Sequence, residues 1–187
     1  MTVINTDKKI IIVTANGFDE NHMTVIQRAL TQAKLGYSVI APEQGLVNGW
    51  QNNSWGHYFT VDVVINMALG SDYDALIIIG GERSVAKLKQ NLHTKRIVNH
   101  FMEANKPVAA VGAGVSLLAL SDKIAKRKVS VSDEFNGDLI SADAVVVDDQ
   151  QIRDGNMITS DGADTQAWID EVVTLINSYE SPMEEAA

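Results

Sequence analysis

Short runs of apolar residues alternate with longer amphipathic stretches along most of the chain. The runs at 9–14, 75–79 and 108–111 are too short for helices. An apolar run of this length predicts a strand that is buried on both faces of a parallel sheet. The remaining strand signals lie at 37–41, at 57–67 as a short pair, at 144–147 and at 151–159.

The stretches between these strands carry apolar residues at helical spacing. Asn21 is the predicted N-cap of the first helix, which Gly36 stops. Between residues 43 and 56, glycines, asparagines and the two tryptophans Trp50 and Trp55 predict a loop. Further helices are predicted at 94–104, from 116 to 120 and at 164–178.

Strands that alternate with helices predict an α/β fold, in which helices cover both faces of a mostly parallel central sheet. One domain is expected at 9–178, between an N-terminal tail at 1–8 and an acidic C-terminal tail at 179–187. In such sheets, ligands bind beyond the carboxyl ends of the strands. The strand ends expected to meet there are 15–20, 80–83 and 112–114.

The composition is that of an ordinary soluble globular protein, since 45% of the 187 residues are hydrophobic and 21% are charged. The chain has no cysteine, which excludes disulfides, thiolate metal sites and thiol catalysis. Its start is polar, and no apolar stretch approaches the roughly 20 residues that span a bilayer. We therefore expect no signal peptide, no membrane contact and a cytoplasmic location.

Charge is distributed unevenly along the chain. Up to Val131 there are 14 Lys and Arg against 10 Asp and Glu, whereas the rest has Arg153 alone against 14 acids. This acidic last third disfavours nucleic acid as a partner. Its aspartates do not have the spacing of a calcium-binding loop. We predict no metal ion and no cofactor.

Five segments together resemble the DJ-1/PfpI (ThiJ) superfamily, a branch of the class I glutamine amidotransferase-like fold. They are 9–14 followed by 17–20, 74–81, 106–111, 117–119 and 154–160. Their order and spacing, spread over nearly the whole chain, carry the resemblance. It implies a flavodoxin-like, three-layer sandwich, and it makes a homodimer the expected assembly.

The resemblance also implies where the family's chemistry would stand. Active members have a cysteine on the turn after the Lys-Pro strand, followed by histidine and glycine; here these positions are Gly112, Ala113 and Gly114. A family glutamate at the start of the first helix is replaced by His22, although a small shift would bring Glu20 nearer. Because glycine supplies no nucleophile, thiol chemistry at this turn is excluded.

The C-terminal domain of large-subunit catalases is similar in the same respect, because it too has glycine after its Lys-Pro strand. We therefore interpret the chain as a catalytically inactive member that acts as a binding or structural module. Backbone N–H groups of Gly81 and Ala113 could hold a small anion beside Gly112, and His22 and Glu20 complete this candidate site.

Two alternatives stay open at this point. The first is an enzyme, a hydrolase or lyase, whose non-cysteine chemistry uses His22 with Glu20 or with Ser116. The second is a regulatory subunit of a separately encoded enzyme. Loss of an activity on His22→Ala would favour the first.

Overall fold

A computed structural model describes residues 7–182, in which twelve strands and five α-helices occur. The strands are β1 (Lys9–Val13), β2 (Phe18–Asp19), β3 (Gly36–Ala41), β4 (Leu46–Gln51), β5 (Ser54–Thr60), β6 (Val63–Val64), β7 (Ala75–Ile78), β8 (Val108–Val111), β9 (Lys128–Ser130), β10 (Val145–Val147), β11 (Gln151–Asp154) and β12 (Met157–Ser160). The helices are α1 (Glu20–Gln32), α2 (Glu82–Lys89), α3 (Leu92–Glu103), α4 (Gly137–Ser141) and α5 (Thr165–Ser178), and a 3₁₀ helix covers Gly112–Leu120.

Seven strands form the central sheet in the order β11-β12-β8-β7-β1-β3-β6. All neighbours pair in parallel except β11 and β12, which are antiparallel. This confirms the predicted α/β sandwich with a mostly parallel sheet. The carboxyl ends of β1, β7 and β8 lie at one edge of the sheet, where ligand sites of such folds occur.

Alternate residues of each central strand enter opposite halves of the core. In β1, Ile11 and Val13 pack with α2, α3 and the 3₁₀ helix, whereas Ile10 and Ile12 pack with α1 and α5. Both faces of the sheet are therefore dry, which explains why the sequence of this strand is uninterrupted and apolar.

The predicted loop at 43–56 is wrong, because β4 and β5 form an antiparallel hairpin there. The hairpin also pairs with β2 in a separate three-stranded sheet. Asn52 and Asn53 make its turn with φ of 49° and 57°, and asparagine tolerates this left-handed conformation well. Its strands are only half-buried and rich in polar residues, so the sequence contains no apolar run that would predict them.

Two helix starts also differ from the predictions, and helices α2 and α4 were not predicted. Asp19, not Asn21, caps α1, since its carboxylate accepts a hydrogen bond from the backbone N–H of His22 at 3.2 Å. Helix α3 starts at Leu92, two residues early, because the Asn91 side chain caps it.

The predicted tails lie partly outside the described residues. Lys8, which belongs to the described part of the predicted N-terminal tail, is buried, and its ammonium donates to the Ile176 carbonyl at 2.5 Å. This contact ties the chain start to the end of α5. None of the helices in residues 7–182 is long and apolar enough to cross a membrane.

Helix α3 offers a matched test of which face stabilises the fold. Ile97 is 1% exposed in the core, whereas Leu92 on the same helix is 87% exposed. We expect Ile97→Ala to lower the free energy of unfolding by about 2–5 kcal/mol, because it leaves a cavity. Leu92→Ala should change it by less than about 0.5 kcal/mol. Urea unfolding measures both, and similar losses would contradict this assignment of the core.

Candidate functional site

The turn that follows β8, called the elbow below, has glycine at its first position. Gly112 adopts φ of +58°, in the left-handed region that L side chains rarely occupy. A Cβ atom built on it would lie 3.1 Å from Cε1 of His22. The elbow therefore lacks a side chain and also has little space for one.

The imidazole of His22 fills this space. It comes from the first turn of α1 and its side chain is only 12% exposed. A Cβ on Gly80 would lie 2.9 Å from its Nδ1 and Cε1 atoms, and a Cβ on Gly162 would lie 3.5 Å from Nε2. Three glycines from separate loops thus make the slot in which the ring sits.

The surroundings of His22 favour a neutral ring. Burial lowers its pKa, and the Asp19 carboxylate opposes this only in part. Nε2 lies 3.6 Å from Oδ2 of Asp19, whereas Nδ1 is buried without a hydrogen-bond partner among the described residues. The tautomer with its proton on Nε2 suits this arrangement, because that proton then faces an acceptor.

Glu20 is directed away from His22 and into the hairpin. Its buried carboxylate accepts the backbone N–H of His57 at 2.8 Å and Nε2 of Gln51 at 3.2 Å, and it also contacts Nδ1 of His57. Cβ atoms on Gly49 and Gly56 would lie 2.6 and 1.8 Å from Oε2. Glu20 therefore anchors β4 and β5 to the start of α1.

Gly81 and Ala113, the predicted anion-binding pair, line two different cavities. Gly81 has φ of +109°, and a Cβ there would lie 2.6 Å from the Asp19 nitrogen, so glycine is required. Its cavity has a volume of about 530 Å³ and is called the rim cavity below. The residues that line it are Gly17, Asp19, Trp50, Asn53, Gly81, Glu82, Arg83 and Ala86.

The second cavity, of about 330 Å³, contains Ala113 and Ser116. The Ser116 hydroxyl donates to the Ala113 carbonyl at 2.7 Å, as a serine one turn into a helix commonly does. None of the residues that line this cavity is a histidine. A serine nucleophile needs a hydrogen-bonded base, whereas the one hydrogen-bond partner of the Ser116 hydroxyl among the described residues is the Ala113 carbonyl.

Two features of the site were missed in the sequence. One is Asp19, which is the acid nearest to the His22 ring in place of the predicted Glu20. The other is the pair Arg83 and Trp50, whose guanidinium carbon and indole centroid are 4.1 Å apart. The three-residue spacing from Asp19 to His22 could have indicated the first. The second joins residues that are distant in sequence.

Within residues 7–182, no group of three or more His, Asp and Glu side chains could hold a metal ion. The site therefore has an elbow without a side chain, a buried imidazole with a lowered pKa, and two open cavities.

Comparison with known proteins places this geometry in context. The sequence model of the DJ-1/PfpI family matches residues 8–175. A protein named a deglycase from Pyrococcus horikoshii is 26% identical over 169 residues, which cover 90% of this chain and 99% of that protein. A protein of Staphylococcus aureus is 30% identical over 155 residues, which cover 82% of this chain and 88% of its own.

Solved structures agree in fold. A ThiJ/PfpI domain protein from Brachyspira murdochii superposes with a TM-score of 0.84 at 18% identity, covering 92% of this chain and 98% of its own. A two-domain protein from Anabaena variabilis, with DJ-1/ThiJ/PfpI-like and ferritin-like domains, gives 0.82 at 25% identity. That match covers 90% of this chain and 48% of the other.

The hairpin anchor can be tested by adding one methyl group. Gly56→Ala would place a Cβ on the Glu20 carboxylate, so we expect a loss of about 1–3 kcal/mol in the free energy of unfolding. We also expect faster amide exchange in β4 and β5. Gly137→Ala is the matched control, since a Cβ there meets nothing within 4 Å. Equal effects of the two substitutions would show that Glu20 does not hold the hairpin.

The buried imidazole predicts a pH dependence of stability. Because burial lowers the pKa of His22, the unfolded chain takes up a proton below about pH 6.5 that the folded chain does not. The free energy of unfolding therefore falls on acidification, until the lower folded pKa is reached. Burial and Lys106 also lower the pKa of His100, which acts in the same direction.

His22→Gln should therefore make the decline between pH 7 and pH 5 shallower, by at most about 1.4 kcal/mol per pH unit. Urea unfolding at several pH values measures the slope for the native chain and the variant. His100→Gln should reduce it independently, and the two reductions should add. A slope that His22→Gln leaves unchanged would contradict the proposed burial of a neutral ring.

Proposed function

The chain belongs to the DJ-1/PfpI family, and on that premise we propose that it is a catalytically inactive member that retains the fold as a binding module. One observation carries the proposal: a Cβ atom at the elbow would stand 3.1 Å from Cε1 of His22, so a side chain there would require the ring to shift. The chain also has no cysteine at any position. Thiol-dependent reactions are therefore closed to it, and we propose that it lacks the activity for which its deglycase relatives are named.

The proposed ligand of the cleft is a small anion held by backbone N–H groups at Gly81 or Ala113, close to Gly112. Main-chain amides at a glycine turn bind anions without the help of a charged side chain. Because the two amides border separate cavities, we propose that a single ion contacts one of them rather than both.

We also propose that the chain forms a homodimer. Leu46, Trp55 and Tyr58 are 53%, 54% and 69% exposed on the hairpin, where aromatic and aliphatic side chains would suit a protein contact. The mass in solution, measured by light scattering, tests this directly. Tyr58→Ser should shift the protein toward monomer if the contact is at the hairpin.

The alternative of an enzyme is favoured by one specific observation, the buried Nδ1 of His22 that has no partner in the described residues. A neutral imidazole can accept a proton. Its acidic neighbour is Asp19, since the Glu20 carboxylate bonds to the hairpin. Such an enzyme would use water or a substrate group as the nucleophile.

A titration with sodium acetate tests the binding proposal. We expect amide shifts in ¹H–¹⁵N spectra at Gly81, at Ala113 or at both, because an anion polarises the N–H group that binds it. Sodium chloride at equal ionic strength is the control. Unchanged amides at both residues would overturn the proposal that the cleft binds a small carboxylate.

A turnover assay separates the inactive protein from the enzyme. We expect no deglycase activity on a glycated amino acid above the blank, for the native chain or for His22→Ala. A rate in the native chain that His22→Ala abolishes would instead establish the enzyme. The unfolding curve of the variant shows whether it is folded under the assay conditions.

A further inference from the structure

The rim cavity contains a side chain that the elbow does not use, Arg83. A Cβ on Gly17 would lie 2.4 Å from the Arg83 Cβ. The absence of a side chain at Gly17 therefore allows Arg83 to pack against it at the edge of the cavity. Its guanidinium then lies 4.1 Å from the Trp50 ring centroid. Trp55 packs edge-on against Trp50, with centroids 5.2 Å apart and an interplanar angle of 89°. The guanidinium thus lies over an indole that a second indole supports.

The hydrogen-bonding edges of this guanidinium are unused. In the part of the chain that the structure describes, Arg83 makes no hydrogen bond and no ion pair, whereas Arg127 bonds to Asp154 and Asn156. Stacking on an indole leaves all five N–H donors of an arginine in its plane, where a carboxylate can accept two of them. The side chain is exposed, so a ligand can reach it.

Two carboxylates line the same cavity. Asp19 is 37% exposed through its side chain, and among the described residues only His22 lies within ion-pair distance of it, with Nε2 3.6 Å from Oδ2. Glu82 is exposed and has no ion pair in residues 7–182. The cavity therefore presents one positive and two negative groups without internal pairing.

This charge pattern selects among ligand classes. A simple anion such as acetate, at Arg83 or at the Gly81 amide, would be attracted there but also repelled by Asp19 and Glu82, so it should bind only weakly. A simple cation at the carboxylates would in turn be repelled by Arg83. A molecule with both charges meets an opposite charge at each end. The indole of Trp50 supplies an apolar wall for the rest of the molecule. The volume of about 530 Å³ is suitable for a small molecule.

We propose that the rim cavity binds a small zwitterion of the α-amino acid class with an apolar side chain. Its carboxylate would bond to Arg83, its ammonium group would face Asp19 and Glu82, and its side chain would lie against Trp50. The inference rests on the proposed binding role, and it moves the specific ligand from the elbow to the rim of the cleft.

Three probes that share a phenylethyl group test the proposal: L-phenylalanine, 3-phenylpropanoate and phenethylamine. Titration calorimetry gives their affinities, and the indole N–H signal of Trp50 reports where they bind. We expect L-phenylalanine to bind at least about tenfold more tightly than either singly charged probe, because each of those lacks one charge-assisted contact.

Substitutions then assign each contact. Arg83→Gln should weaken binding of L-phenylalanine by about tenfold or more, whereas Lys87→Gln, with the same charge change one turn later on α2, should have little effect. Glu82→Gln and Asp19→Asn should reduce the preference for L-phenylalanine over 3-phenylpropanoate. Asparagine remains a good N-cap, so the second variant keeps α1 intact.

The outcomes separate this inference from the proposed function. Equal affinity for 3-phenylpropanoate and L-phenylalanine would overturn the zwitterion, while a carboxylate-binding role would remain. No binding of any probe, with acetate shifts at Ala113 retained, would overturn the rim site alone. Loss of both signals would overturn both. Equal weakening by Arg83→Gln and Lys87→Gln would also overturn the assignment, since it would indicate only a general effect of charge.

Discussion

The close packing of the His22 ring against glycine backbone is the constraint on which the rest of this cleft depends. Gly80, Gly112 and Gly162 each approach the ring so closely that the carboxyl edge of the sheet has a filled centre and open flanks. Burial in this slot lowers the pKa of the imidazole. The open space lies instead in the rim cavity and in the cavity beside Ala113, neither of which is lined by His22.

Three neighbouring residues at the start of α1 have different structural roles in the site. Asp19 caps the helix and faces the rim cavity, Glu20 anchors the hairpin, and His22 fills the elbow. The hairpin in turn carries Trp50, on which Arg83 stacks. By holding the hairpin, the buried Glu20 carboxylate thus positions Trp50 at the rim cavity, although Glu20 does not line that cavity. Unlike the apolar sheet, this arrangement depends on a few polar contacts, each of which is worth about 1 kcal/mol or slightly more.

How much of this was readable in the sequence depends on how local each cause is. Strands such as Lys9–Val13 could be predicted from the sequence, because both of their faces are buried and their residues are therefore apolar. The position of the elbow and the absence of its thiol were predicted from the family resemblance. The hairpin was not readable, since Leu46–Gln51 is stabilised by pairing and by Glu20 rather than by its own pattern. Likewise, Arg83 and Trp50 meet only after the chain has folded. The sequence indicated where a site should lie but not which cavity is open.

The occupied elbow has a consequence for how such a protein can change over evolutionary time. A substitution that introduces a side chain at Gly112 meets the His22 ring 3.1 Å away and a φ of +58°. Replacing His22 with a smaller residue first would relieve the contact, at the cost of an underfilled slot between Gly80, Gly112 and Gly162. The effects of substitutions at the two positions therefore depend on each other, and the order in which they occur matters.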